Sequence, residues 1–100
     1  MPIIEISIVP LGPEGVSLSQ YVAKAVRLLE KEKDINYQLT SMGTIIEGDS
    51  LEKLLNIASI MHDSVFSDTI KRVLTSIRID ERRDRKSSME AKIKSVKAKL

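Results

Sequence analysis

Cysteine and tryptophan are absent from this 100-residue chain, histidine occurs once, and only three residues are aromatic. Without thiols there is neither a disulfide framework nor a thiolate metal site, and a reducing, cytoplasmic location is expected. No nucleophile–base pair and no phosphate-binding loop can be found, so catalysis is not expected. No apolar stretch approaches the ~20 residues of a membrane span. The opening residues lack a basic region and carry Glu5 inside their apolar run, which reads as a strand rather than a signal peptide. What is present fits a single domain over residues 1–100. Apolar residues make up 42%, enough for a small core. A core of that size is marginal alone, so self-association is expected.

The net charge of +2 hides an asymmetry. Residues 1–70 hold five Lys or Arg against ten Asp or Glu, and residues 71–100 hold eleven against four. The basic character therefore belongs to the last third.

Ile3 to Val9 alternates in the manner of a strand, with Ile4, Ile6 and Ile8 on one side and Glu5, Ser7 and Val9 on the other. Pro10, Gly12, Pro13 and Gly15 predict a loop. Ser17 and Gln20 have capping-box spacing, and Leu18, Val22, Ala25, Val26 and Leu29 form the stripe of a helix running to about Lys33. Ile35–Thr40 and Thr44–Glu47 predict two strands around a Ser41-Met42-Gly43 corner, where glycine can adopt positive φ. Ser50 is placed to cap a second helix with a buried stripe of Leu51, Leu54, Leu55, Ala58, Met61 and Val65, ending near Ser64. Ile70–Asp80 predicts a long fourth strand. After the charged run 81–86, Ser87 and Glu90 again show capping-box spacing. Met89, Ile93, Val96 and Leu100 then draw a narrow apolar seam, suited to docking on the chain's own body or on a neighbour.

Strand-helix-strand-strand-helix-strand with right-handed crossovers yields an α+β fold, a ferredoxin-like βαββαβ sandwich with an additional C-terminal helix. Its first and third strands are central. The helices cover the face carrying Ile4, Ile6, Ile8, Leu39, Ile46, Val73, Ile77 and Ile79. The face with no helix over it carries Glu5, Ser7, Val9, Gln38, Thr40, Ile45, Glu47, Leu74, Ser76 and Arg78. There Glu5 and Glu47 are expected as cross-strand neighbours. They are either solvated or paired with Arg78 and Arg72, or they line a polar pocket for a cationic or amino-bearing small molecule, with Ser7, Thr40 and Ser76 adding hydroxyls.

Met42-Gly43-Thr44-Ile45-Ile46-Glu47-Gly48, the Arg72–Asp84 stretch, the opening Glu5–Gly12 and Ser19-Gln20-Tyr21-Val22 together resemble the family of small thiamine-binding proteins, over about Ile3 to Val96. Ser41 stands where members often have proline. The resemblance implies a ferredoxin-like subunit, usually in homotetramers. It also implies non-catalytic binding of thiamine or its hydroxymethylpyrimidine moiety, held as a ligand and not as a catalytic cofactor. A carboxylate can accept from the exocyclic amine of thiamine. This makes Glu5 and Glu47 the leading contacts, followed by Ser7 and Thr40.

Three further features of the chain bear on function. His62, late in the second helix, suits a dipole-compatible surface or cap position, and no spacing argues for a metal. Arg78, Arg82, Arg83, Arg85 and Lys86 form a basic turn that Asp80, Glu81 and Asp84 can neutralise. Its alternative role is an anion site at Arg78, Arg82 and Arg83, in a structural or regulatory assembly module. RNA-recognition domains of this topology place aromatics on the central strands. Here Glu5, Ser7, Ile45 and Glu47 occupy those places, so nucleic acid is not an expected partner.

Overall fold

A four-stranded antiparallel sheet is the frame of the molecule, and its strand order is β2-β3-β1-β4. The computed structural model describes residues 1–12 and 18–100. The elements are β1 (Ile3–Leu11), α1 (Leu18–Arg27) continued by a 3₁₀ turn (Leu28–Lys31), β2 (Ile35–Thr40), β3 (Gly43–Gly48), α2 (Leu51–Val65), β4 (Arg72–Asp80) and α3 (Met89–Lys97). This is the ferredoxin-like sandwich with an added C-terminal helix. Ser17, the expected first cap, lies outside the described residues, as do Pro13 and Gly15.

The register confirms the assignment of faces. Ile4 stands opposite Ile46 and Ile79, and Ile6 opposite Thr44 and Ile77. Directly opposed residues share a face, so these belong to the helix side. Ile4, Ile6 and Ile46 are fully buried there with Ala25, Leu29, Leu54, Ile57, Ala58, Met61, Val65 and Ile70. Burial of each large aliphatic side chain contributes about 1.5–3 kcal/mol.

Several boundaries and burial assignments differ from expectation. The first strand runs on through Pro10 and Leu11, opposite Val73 and Arg72. β3 pairs with β1 only as far as Ile6, so beyond it a proline can turn its missing N–H to an unpaired side. The first helix gives way to the 3₁₀ turn after Arg27. On α2 the inward residue is Ile57, 3% exposed, whereas Leu55 is turned outward. Residues 54, 57, 58, 61 and 65 keep the 3.6-residue period more faithfully than a stripe through 55. Leu39, Ile77 and Ile79 lie on the helix side yet remain 64%, 40% and 51% exposed, because two helices do not reach the corners of the sheet. The last helix is capped by Ser88, whose hydroxyl accepts from the Ala91 amide at 3.1 Å, rather than by Ser87.

Gly43 is required at the hairpin corner. Its φ is 158°, and a Cβ added there would lie 2.8 Å from the Ile6 carbonyl oxygen. Thr40 closes the same corner. Its hydroxyl donates to the Gly43 carbonyl (2.8 Å) and accepts from the amides of Met42 and Gly43 (3.1 Å each).

Candidate functional site

The face away from α1 and α2 is not bare. α3 begins over its corner, and the contact that starts it there is made by Glu47. This glutamate is 4% exposed. One carboxylate oxygen accepts from the Met89 amide at 2.8 Å and the other from the Asn36 side-chain amide at 3.0 Å. A carboxylate at a helix N-terminus satisfies an orphan donor and complements the helix dipole. Met89, at the start of the helix, is buried, whereas Ile93, Val96 and Leu100 of the same seam are 40%, 60% and 98% exposed. A Lys92–Asp80 ion pair ties the first turns of the same helix to the end of β4, and the Lys92 ammonium holds the Asp80 carboxyl below the usual range.

Glu5 is in a different situation. It stands opposite Ile45 on β3 and Arg78 on β4. Glu47 stands opposite Ile3, so the two glutamates share the open face but are diagonal neighbours, a relation that separates residues by about 7–8 Å. Glu5 keeps 35% of its side chain exposed and meets the Arg78 guanidinium at 3.6 Å, a loose pair with the arginine almost wholly in solvent. Exposed pairs of this kind contribute little, about 0–1 kcal/mol, and leave the carboxylate available.

The four expected contact residues border three depressions. Glu5 lies in a shallow cleft of about 210 Å³ with Ile45, Arg78 and Asp80. Glu47 borders a groove of about 670 Å³ between β2 and α3, with Asn36, Gln38, Ile93 and Lys94. Ser7 and Thr40 border a cleft of about 180 Å³ against Val22, Val26 and Met42, and the Thr40 hydroxyl is already committed to the hairpin corner. Small-ligand sites usually measure about 300–1,000 Å³. The groove at Glu47 falls in that range, and the cleft at Glu5 reaches it only with a second surface. The sequence reading missed Asn36, the amide partner of Glu47, and the roof provided by α3. The position of Asn36 directly across from Glu47 could have been found from the hairpin register.

In the basic turn, Arg82 makes a two-pronged pair with Asp84 (2.7 and 2.6 Å), which holds the Asp84 carboxyl below its usual range. Arg83 pairs with Glu81 at 3.0 Å. Arg78 leans towards Glu5. The three guanidinium groups proposed for an anion thus each have a carboxylate of their own. His62 approaches the Thr75 hydroxyl with Nδ1 at 2.6 Å and meets the Phe66 ring edge-on at 5.3 Å. It ties α2 to β4 and is not directed to the open face.

Fold and site together define a small ferredoxin-like domain whose acidic groups rise from the two central strands on the side opposite the main helices. The profile of the family described as "Thiamine-binding protein" matches residues 4–97, and the chain belongs to that family. It is 44% identical to the UPF0045 protein YqgV of Bacillus subtilis over 103 aligned positions, covering all of this chain and 98% of the relative. It is 38% identical to a UPF0045 protein of Methanothermobacter thermautotrophicus, with 96% of each covered. Among solved structures, hypothetical protein MJ1052 of Methanocaldococcus jannaschii superposes with a TM-score of 0.85 at 38% identity, over 96% of this chain and 95% of that one. A candidate thiamine biosynthesis/salvage protein from Thermotoga maritima superposes with a TM-score of 0.79 over 95% and 97%. At 18% identity the latter likeness bears on the fold alone.

Proposed function

We propose that this chain binds thiamine or its hydroxymethylpyrimidine moiety, without catalysis, on the open sheet face of a cytoplasmic homo-oligomer, most simply a tetramer. The observation that carries the reading is the placement of Glu5 and Glu47 on one face of adjacent central strands, in a member of the thiamine-binding family. Glu5 is the accessible acceptor for the aminopyrimidine, since its present partner is loose and solvated. Ser7, its neighbour along the same face, supplies a hydroxyl. Glu47 shapes the adjoining groove and reaches a ligand only by exchanging one of its two donors. A sister chain laid over this face would deepen the cleft at Glu5 and cover Leu74, which is 57% exposed.

Titration calorimetry with thiamine and with hydroxymethylpyrimidine tests the reading. Heat of binding and a raised Tm are expected for at least one of them. Glu5→Gln should weaken binding about tenfold, the cost of losing one charge-assisted hydrogen bond. If neither compound binds at millimolar concentration, thiamine is not the ligand. Unchanged affinity in both Glu5→Gln and Glu47→Gln would move the site off this face.

A further inference from the structure

β2 is an outer strand of the sheet, on the side away from β4. Over Ile35–Thr40 it holds no lysine, proline or glycine, although lysine or proline commonly blunts such an edge. One bond fixes which of its backbone groups face outward. The Gly48 amide donates to the Pro2 carbonyl at 3.3 Å, so Gly48 turns its backbone towards β1. Backbone direction alternates along an antiparallel strand. Glu47 and Ile45 therefore turn theirs towards β2, where they stand opposite Asn36 and Gln38. Tyr37 and Leu39 are left directing N–H and C=O to the side where no strand lies among the described residues.

A depression flanks this edge on each face of the sheet. On the helix side, a cleft of about 480 Å³ is walled by Val22, Ala23, Val26 and Leu39 and is almost wholly apolar. On the open side lies the groove of about 670 Å³ beside α3. Its helical wall is Glu90, Ile93, Lys94 and Lys97, which are three or four residues apart and share one helix face. Lys94 and Lys97 are exposed, and neither has a carboxylate within ion-pair distance among the described residues.

We propose that β2 accepts an extended peptide of a partner protein as an added strand, with residues that alternate between apolar and acidic. In this mode of recognition backbone bonds supply affinity and pockets for alternate side chains supply selectivity. Successive side chains of a strand point to opposite faces. One set therefore enters the apolar cleft beside α1, and the other meets Lys94 and Lys97. A second copy of β2 fits less well, because Ile35–Thr40 offers no carboxylate to the lysines. A small molecule in either depression leaves the outward backbone groups of Tyr37 and Leu39 unused. The proposal calls on neither Glu5 nor Glu47 and is independent of thiamine binding.

The probe is a fluorescein-labelled heptapeptide of alternating valine and glutamate. Its control has the same composition with the glutamates gathered in one block. Fluorescence anisotropy should show the alternating peptide binding at least about tenfold more tightly than the control. Lys94→Glu combined with Lys97→Glu should weaken it about tenfold or more, and a valine–lysine peptide should bind that variant in its place. Both lysines are exposed, so the variant should keep its fold, which circular dichroism checks. Amide exchange locates the strand. Saturating peptide should slow exchange at Tyr37 and Leu39 and leave Gln38, whose amide already faces β3, unchanged. No binding at millimolar peptide, equal binding of the blocked control, or unaltered exchange at Tyr37 and Leu39 would each overturn the proposal. So would exchange at those two amides that slows with the protein's own concentration in the absence of peptide, which assigns the edge to a second copy.

Discussion

α2 and α3 are both amphipathic, and they are held in opposite ways. α2 buries Leu54, Ile57, Ala58, Met61 and Val65 against the sheet. α3 buries Met89 alone and is fixed by polar contacts at its start, where Glu47 takes the Met89 amide and Lys92 reaches Asp80. The first arrangement depends on area removed from water and cannot be altered without loss of the core. The second depends on a few directed bonds, and its remaining apolar seam is unspent.

The sharpest break of this contrast is Leu54→Ala, which should destabilise the whole domain by about 3 kcal/mol, read as a lowered midpoint in urea. Next comes Gly43→Ala. The added Cβ would press on the Ile6 carbonyl, at a cost of about 1–3 kcal/mol, again in the global midpoint. Glu47→Ala should act locally. It strands the buried Met89 amide, costing roughly 2 kcal/mol, and amide exchange should accelerate in α3 far more than in α2. Acidification sharpens the same comparison. Because Lys92 lowers the Asp80 pKa, the bond's contribution is present above the usual carboxylate range and is lost as pH falls below it. Exchange in α3 should therefore rise below that range before α2 responds. The smallest effect belongs to Val96→Ser. At 60% exposure it should leave monomer stability within about 0.5 kcal/mol, and a larger loss would show that a partner covers the seam.

Much of this architecture could be read from residue periods. Alternation in Ile3–Val9 and in Arg72–Asp80 placed every side chain on its face, and the order of elements gave the sandwich. The error at Leu55 arose because two overlapping stripes satisfy a loose helical period, and only contact with a sheet chooses between them. The candidate site was less legible. Glu5 and Glu47 could be assigned to one face, but one is loosely paired in solvent and the other is locked beneath a helix whose linker gives no hint of its direction. Thr40 looked like a free hydroxyl and is consumed by the corner it sits in.

By itself, the sequence determined the strands, the helices, the sheet order and the side of the sheet each residue occupies, because these follow from local periodicity and the handedness of the backbone. Only the tertiary structure decided which corners of the helix face stay open, that α3 returns to cap the acidic corner, and that Glu47 is buried while Glu5 is not. Those outcomes depend on distances between segments more than 40 residues apart, such as Glu47 and Met89, which no local pattern encodes.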